Sequence, residues 1–124
     1  MSQIVERFEA AVQALVGDGP VKNRLRSAYA EHLEDLQQVD LPIAGKGDLG
    51  ELHSALHRVR PVGKIDCVKA SVQKMSVTEA WWHAQTIVRL YAEVLAMEQG
   101  ARATAEEALD ISQEPAPRFL NGSG

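Results

Sequence analysis

Two pairs of side chains in this sequence have the spacing of metal ligands. His53 and His57 are four residues apart, and so are Glu79 and His83. On a helix that spacing puts both members of a pair on one face, where they can share a metal ion. Two such helices facing each other would form a His/His/Glu/His site. Neither pair lies in a His-Glu-x-x-His or Glu-x-x-His signature, so we expect solvated flank residues and no cofactor.

Cys67 is the only cysteine and therefore the only residue available for thiol chemistry. Either His57 or His83 could serve it as a base, and Lys64 and Lys69 are close enough in sequence to favour a thiolate. A lone cysteine on a helix flank is more often inert. The sequence contains no Gly-x-Ser-x-Gly turn, paired-carboxylate pattern or glycine-rich dinucleotide loop. We therefore name no catalytic residue and expect a protein that is not an enzyme.

The charge of the chain is mildly negative overall but uneven along it. The net charge of -4 argues against extensive contact with nucleic acid. Between residues 57 and 74, however, five cations stand against Asp66 alone. These cations are Arg58, Arg60, Lys64, Lys69 and Lys74. They could bind nucleic acid or an acidic partner, but we favour pairing with the protein's own acidic helices.

The strongest helix signal begins at residue 76. Ser76 and Glu79 have the spacing of a capping box, and Gly100 supplies a helix stop. Between them, apolar residues recur at steps of three and four and predict one core-facing stripe. The stripe consists of Val77, Ala80, Trp81, Ala84, Ile87, Val88, Tyr91, Val94 and Leu95.

Trp82 lies almost opposite this stripe on the same helix. Tryptophan is rarely left in water and is enriched where interfaces bury an anchor. The sequence therefore predicts an interaction face around it, made of Trp82, Thr86, Arg89, Leu90, Glu93 and Met97. The expected occupant is a second copy of the chain, giving a homodimer, or another protein. The alternative is that the Trp82 ring is covered by another part of the same chain.

The remaining periodic segments predict an all-α fold. Further helices are expected over 4–15, 21–40, 49–59 and 65–75, with an irregular stretch at 41–47 and a short helix after Gly100. We expect a compact bundle of four main helices plus the short C-terminal helix. A single domain would span 1–114, followed by a flexible tail over 115–124. No run of about 18 apolar residues is present, so we expect no membrane contact and a cytoplasmic location.

These patterns favour a non-catalytic interaction or regulatory module that self-associates through the 76–100 helix. Two alternatives stay open. One is a small helical-bundle metal-binding protein or enzyme that uses the two histidine pairs. The other is a protein that binds nucleic acid or an acidic partner through the basic 57–74 segment.

Overall fold

The computed structural model of the protein describes residues 3–37, 41 and 43–113, without the side chains of 43, 44 and 102–113. The described part is helical, with no strand beyond an isolated bridge between Val62 and Ile65. Its helices are α1 (Gln3–Leu15), α2 (Val21–His32), α3 (Ile43–Leu56), α4 (Cys67–Lys74) and α5 (Val77–Gln113). The predicted all-α class is confirmed. None of the described helices combines the length and apolar character needed to cross a bilayer.

The first two helices form an antiparallel pair. The short turn between them brings Arg24 of α2 against the end of α1, where its guanidinium donates to the Leu15 carbonyl at 2.6 Å. At the other end of the pair, Arg7 forms an ion pair with Asp35, just after α2. Contacts at both ends align the two helices along their length, so that Phe8 and Tyr29 are fully buried in the core.

The last helix forms the centre of the bundle. α5 packs against α1, α2 and α3, while α4 packs on α2 and α3. The predicted capping box is present at its start: the Glu79 amide donates to the Ser76 hydroxyl at 3.0 Å. In return, the Ser76 amide donates to the Glu79 carboxylate at 3.4 Å. Both groups satisfy amides that the first turn of a helix leaves without a partner.

The buried arc of α5 differs from the predicted stripe. Trp81 and Val88, expected in the core, are 50% and 46% exposed, whereas Leu90, expected in the interaction face, is fully buried. The α5 residues that are buried are Ala80, Ala84, Ile87, Leu90 and Val94. The difference arises because three helices cover α5 from one side. Their position, which periodicity alone does not give, decides which flank of a broad apolar surface is buried.

Several helix ends also differ from the predictions. α2 ends at His32 rather than near residue 40, and α3 begins at Ile43, inside the stretch predicted to be irregular. α5 continues through Gly100, so the predicted stop and separate C-terminal helix are wrong. Among the described glycines, only Gly19 and Gly63 have the positive φ that ends a helix. The predicted tail over 115–124 lies outside the described residues.

Candidate functional site

Two of the four predicted metal ligands meet at a buried tyrosine. His53 lies in the last turn of α3 and His57 follows the end of that helix. Both rings approach Tyr29 of α2 edge-on, with centroid separations of 5.5 Å for His53 and 5.7 Å for His57. The side chains of this cluster therefore join α2 to the end of α3. We call Tyr29, His53 and His57 the histidine cluster.

The hydrogen bonds of the histidine cluster agree with one set of proton positions for neutral rings. His53 Nε2 is 2.8 Å from the Leu36 carbonyl oxygen, which can only accept, so this nitrogen carries the proton. With one proton on this ring, His53 Nδ1 accepts from the Tyr29 hydroxyl. The Tyr29 oxygen in turn accepts from His57 Nε2 at 3.0 Å. Both imidazoles can be neutral in this arrangement, and every bond has one donor and one acceptor.

The electrostatics of the cluster favour the protonated phenol. Burial raises the pKa of Tyr29 well above its usual range, and the nearby Glu34 carboxylate raises it further. His57 Nε2 is 3.6 Å from Glu34 Oε2. A chain of donors thus runs from His57 through Tyr29 to His53 and ends at a backbone carbonyl. Such a chain orients side chains and satisfies buried polar groups, and it occupies both nitrogens of His53.

The other two predicted metal ligands do not join this cluster. Glu79 forms an exposed ion pair with Arg58, 3.8 Å between the charged atoms. Burial lowers the pKa of His83 below its usual value, and Arg58 adds to this effect, while Glu79 and Glu51 oppose it. The described residues include no group of three or more His, Cys, Asp or Glu side chains placed to hold a metal ion. The predicted His/His/Glu/His site is therefore not assembled.

Cys67 and His57 line a common surface cleft. Cys67 is the first residue of α4, is half-buried, and borders a cleft of about 480 Å³ together with His57 and Glu34. Asp66 caps the same helix, accepting from the Lys69 amide at 2.8 Å. His57 Nε2 is bonded to Tyr29, and among the described residues no hydrogen bond joins the Cys67 thiol to a base.

The predicted interaction face is only partly a surface. Trp82 is 69% exposed and Met97 57% exposed, as the prediction requires. Arg89 is exposed and pairs with Asp48 of α3 at 3.3 Å. Thr86 is half-buried and its hydroxyl donates to the Trp82 carbonyl at 3.1 Å.

Glu93 departs further from the predicted face. It is half-buried, and its Oε2 atom is buried without a hydrogen-bond partner among the described residues. Leu90 lies in the core, as described above. Together these two positions divide the predicted face and leave its exposed apolar residues, Trp82 and Met97, at separate places on α5.

A second exposed apolar surface lies elsewhere on α5. Val77, Trp81 and Val88 are 58%, 50% and 46% exposed, and Leu95 beside them is half-buried against the core. At 100° per residue these four positions fall within about 40° of one another around the helix. Sequence reasoning assigned them to the core because they continue the apolar stripe without a break.

The predicted basic patch is divided among different neighbours. Arg58 pairs with Glu79, as the internal-pairing interpretation expects. Arg60, Lys64 and Lys74 are exposed. Lys69 is half-buried and lines a separate cleft between α2 and α4. That cleft also receives basic residues from α2, which were not part of the predicted patch.

The comparisons with known proteins gave no match. No family model, no curated protein and no solved structure matches this chain.

Proposed function

We propose that the protein is a non-catalytic interaction module that self-associates through the outer surface of α5. The observation that carries this proposal is the exposed row of Val77, Trp81 and Val88, continued by Leu95. Three large apolar side chains in one row on a single helix are more than the scattered exposed residues of an ordinary surface. They form the kind of surface that a partner covers.

The surface is also free of charge. Between Val77 and Gln99, an arc of about 100° around the helix contains the apolar row and its neighbours. No Asp, Glu, Lys, Arg or His lies in this arc. The neighbours are Thr78, Gln85, Ala92, Ala96 and Gln99, all of them exposed. We call this whole surface the uncharged stripe. It extends from Val77 to Gln99, roughly 33 Å of helix.

The absence of charge points to a second copy of the chain as the occupant. A two-fold interface brings the same patch of both subunits together, so any charged residue on it would lie near the same charge on the other subunit. An uncharged stripe avoids that repulsion and needs no complementary partner. The spacing of Val77, Trp81, Ala84, Val88, Tyr91 and Leu95 alternates between four and three, which is the pattern of a helix–helix seam. Ala84 is buried within the protomer, and the exposed positions are left for the partner helix.

The face proposed here is rotated from the one predicted around Trp82. Trp82 lies at the edge of the uncharged stripe, beside the charged Arg89, and Met97 lies on the opposite side of the helix. Trp82 can therefore contribute at the rim of the interface, with Trp81 and Val88 at its centre. The single cysteine is consistent with the reducing cytoplasm, where we propose that the module acts.

Val88→Glu, compared with Met97→Glu, tests the proposal. Both residues are exposed apolar residues of α5, so both variants should fold, which circular dichroism checks. Val88→Glu would place two carboxylates at the two-fold interface. We expect it to weaken dimerisation by about 3 kcal/mol or more, that is at least about a hundredfold.

Sedimentation equilibrium of the wild-type protein and the two variants gives the dissociation constants. Met97→Glu should leave the wild-type value nearly unchanged. If Met97→Glu separates the subunits and Val88→Glu does not, the original face around Trp82 is the interface. A wild-type protein that stays monomeric at millimolar concentration contradicts self-association through either face.

A further inference from the structure

A cleft between α2 and α4 concentrates positive charge. It has a volume of about 530 Å³ and receives Lys22 and Arg26 from α2 and Lys69 from α4. The rest of its lining consists of Pro20, Asn23, Val72 and Gln73. Among the described residues, no acidic one lines it. A volume of this size is in the range that accommodates small-molecule ligands, about 300 to 1,000 Å³.

The three cations are half-buried and none is paired with an acid. Within the described residues, no carboxylate lies within ion-pair distance of Lys22, Arg26 or Lys69. The Lys22 ammonium donates instead to the Gln73 carbonyl of α4 at 3.1 Å, which holds it at the cleft. Bringing three like charges together without a counter-ion opposes folding, because each repels the others in a partly desolvated place.

The local sequence adds to the positive potential. Lys22 and Arg26 are four residues apart on α2, a spacing at which like charges destabilise a helix. α2 begins next to the cleft, with Pro20 as its N-cap and no acidic residue in its first turn. No carboxylate within that turn therefore offsets the positive end of the helix dipole. Internal packing gives no reason for this arrangement, whereas an anion would stabilise it.

We propose that this cleft binds a small polyanion that carries phosphate groups. Arg26 offers a planar set of N–H donors that suits two phosphate oxygens at once, while Lys69 supplies a compact charge from the opposite helix. The Asn23 and Gln73 amides can donate further hydrogen bonds. A compound with two or more linked phosphates offers enough acceptor oxygens for the cations of both helices at once. The cleft is on α2 and α4, so binding does not depend on the uncharged stripe.

Titration calorimetry with sodium tripolyphosphate as the probe tests this inference, with inorganic phosphate as the shorter comparison. Arg26→Gln and Lys69→Gln should each raise the dissociation constant by about tenfold, as expected for loss of one charge-assisted contact. Lys69→Arg keeps the charge and should retain most of the affinity. Lys74→Gln is the matched control, because it removes the same charge from the same helix at an exposed position outside the cleft.

The outcomes distinguish binding in the cleft from nonspecific binding to a basic surface. A wild-type protein that binds tripolyphosphate with no measurable affinity at millimolar concentration overturns the proposal. So does a loss of affinity in Lys74→Gln as large as that in Lys69→Gln. A duplex DNA probe that binds more tightly than tripolyphosphate and depends equally on Arg60, Lys69 and Lys74 would assign the charge to nucleic acid instead. The Val88→Glu variant should bind tripolyphosphate as well as the wild type does, whatever its oligomeric state.

Discussion

At the scale of single residues, Tyr29 is the centre of the polar interior. Its hydroxyl is bonded by His53 and His57 at the same time, which leaves both imidazoles with a partner. Sequence reasoning found the two histidines from their spacing but could not find Tyr29. From sequence alone, a tyrosine on an apolar helix face is interpreted as an ordinary core residue, because the residues that face it are not known. A buried aromatic hydroxyl must find a hydrogen-bond partner, but the sequence does not show which residue that partner is.

Tyr29→Phe should therefore destabilise the protein. Removing the hydroxyl leaves a histidine donor and a histidine acceptor without their partner, which costs about 1–3 kcal/mol. Tyr91→Phe is the matched control, because Tyr91 is half-buried and no hydrogen bond joins its hydroxyl to another described residue. All proteins compared also carry Val88→Glu, so that the place of Tyr91 in the proposed seam does not enter the comparison. Tyr91→Phe should differ from the Val88→Glu parent by no more than about 0.5 kcal/mol. Urea denaturation of the three proteins measures the difference, and equal losses in both variants would contradict the bridging role of Tyr29.

The same residue predicts a dependence of stability on alkaline pH. The pKa of Tyr29 is raised in the folded protein, so the folded state keeps its proton where the unfolded chain loses it. Stability is full below the ordinary tyrosine pKa of about 10 and is lost as pH rises above it. We expect the wild type to lose about 1.4 kcal/mol more than Tyr29→Phe between about pH 9 and pH 11. Urea denaturation between about pH 9 and pH 11 checks this, and parallel pH profiles would contradict it.

At the scale of helices, the contact between α3 and α5 depends on a missing side chain. A Cβ atom built on Gly45 would lie 3.1 Å from a methyl group of Leu41 and 3.1 Å from one of Leu90. It would also lie 3.2 Å from a carboxylate oxygen of Glu93. The glycine lets α3 lie directly on α5, and burial of Leu90 follows from that approach. This explains why Leu90 could not be placed correctly from periodicity alone.

Gly45→Ala and Gly47→Ala form a matched pair that tests this contact. Both positions are inside α3, where alanine is favoured over glycine by about 1 kcal/mol. At Gly47 nothing lies within 4 Å of the added Cβ, so the full gain is expected. At Gly45 overpacking opposes it by about 1–3 kcal/mol. In thermal or urea unfolding, Gly45→Ala should be less stable than Gly47→Ala by about 1–3 kcal/mol. Equal stabilities would mean that α3 and α5 can move apart to accept the added methyl group without a loss of stability.

The helices show which sequence signals were sufficient. The capping box at Ser76 depends only on two residues three positions apart in the sequence. Both of its predicted hydrogen bonds are present. Gly100 was predicted to end α5 because glycine often does, yet a glycine ends a helix only where the chain turns into positive φ. The early start of α3 places Gly45 inside the helix and against Leu90 of α5, which is a tertiary feature. Local signals thus located the helices, while their ends and exposed faces depended on their neighbours.

At the scale of the whole molecule, self-association should couple stability to concentration. A dimer that unfolds to separate chains gains about 2.7 kcal/mol for each roughly hundredfold increase in protein concentration. The midpoint of thermal unfolding of the wild type should therefore rise over such a range, as measured by scanning calorimetry. Val88→Glu, with its interface removed, should unfold at the same temperature throughout. A wild-type midpoint that does not move with concentration would indicate that folding and association are not linked.

Because α5 is continuous, a small rotation of it at the core produces a larger displacement at its far end. Among the described side chains, Leu95 is the last apolar residue of this helix that packs against the core, yet the helix continues to Gln113. Those 18 further residues extend it by about 27 Å. Because the helix has no break at Gly100, a rotation of about 10° near Leu95 would displace its far end by about 5 Å. A small rearrangement where α5 meets the other helices is thereby converted into a movement larger than the width of a side chain at the opposite end.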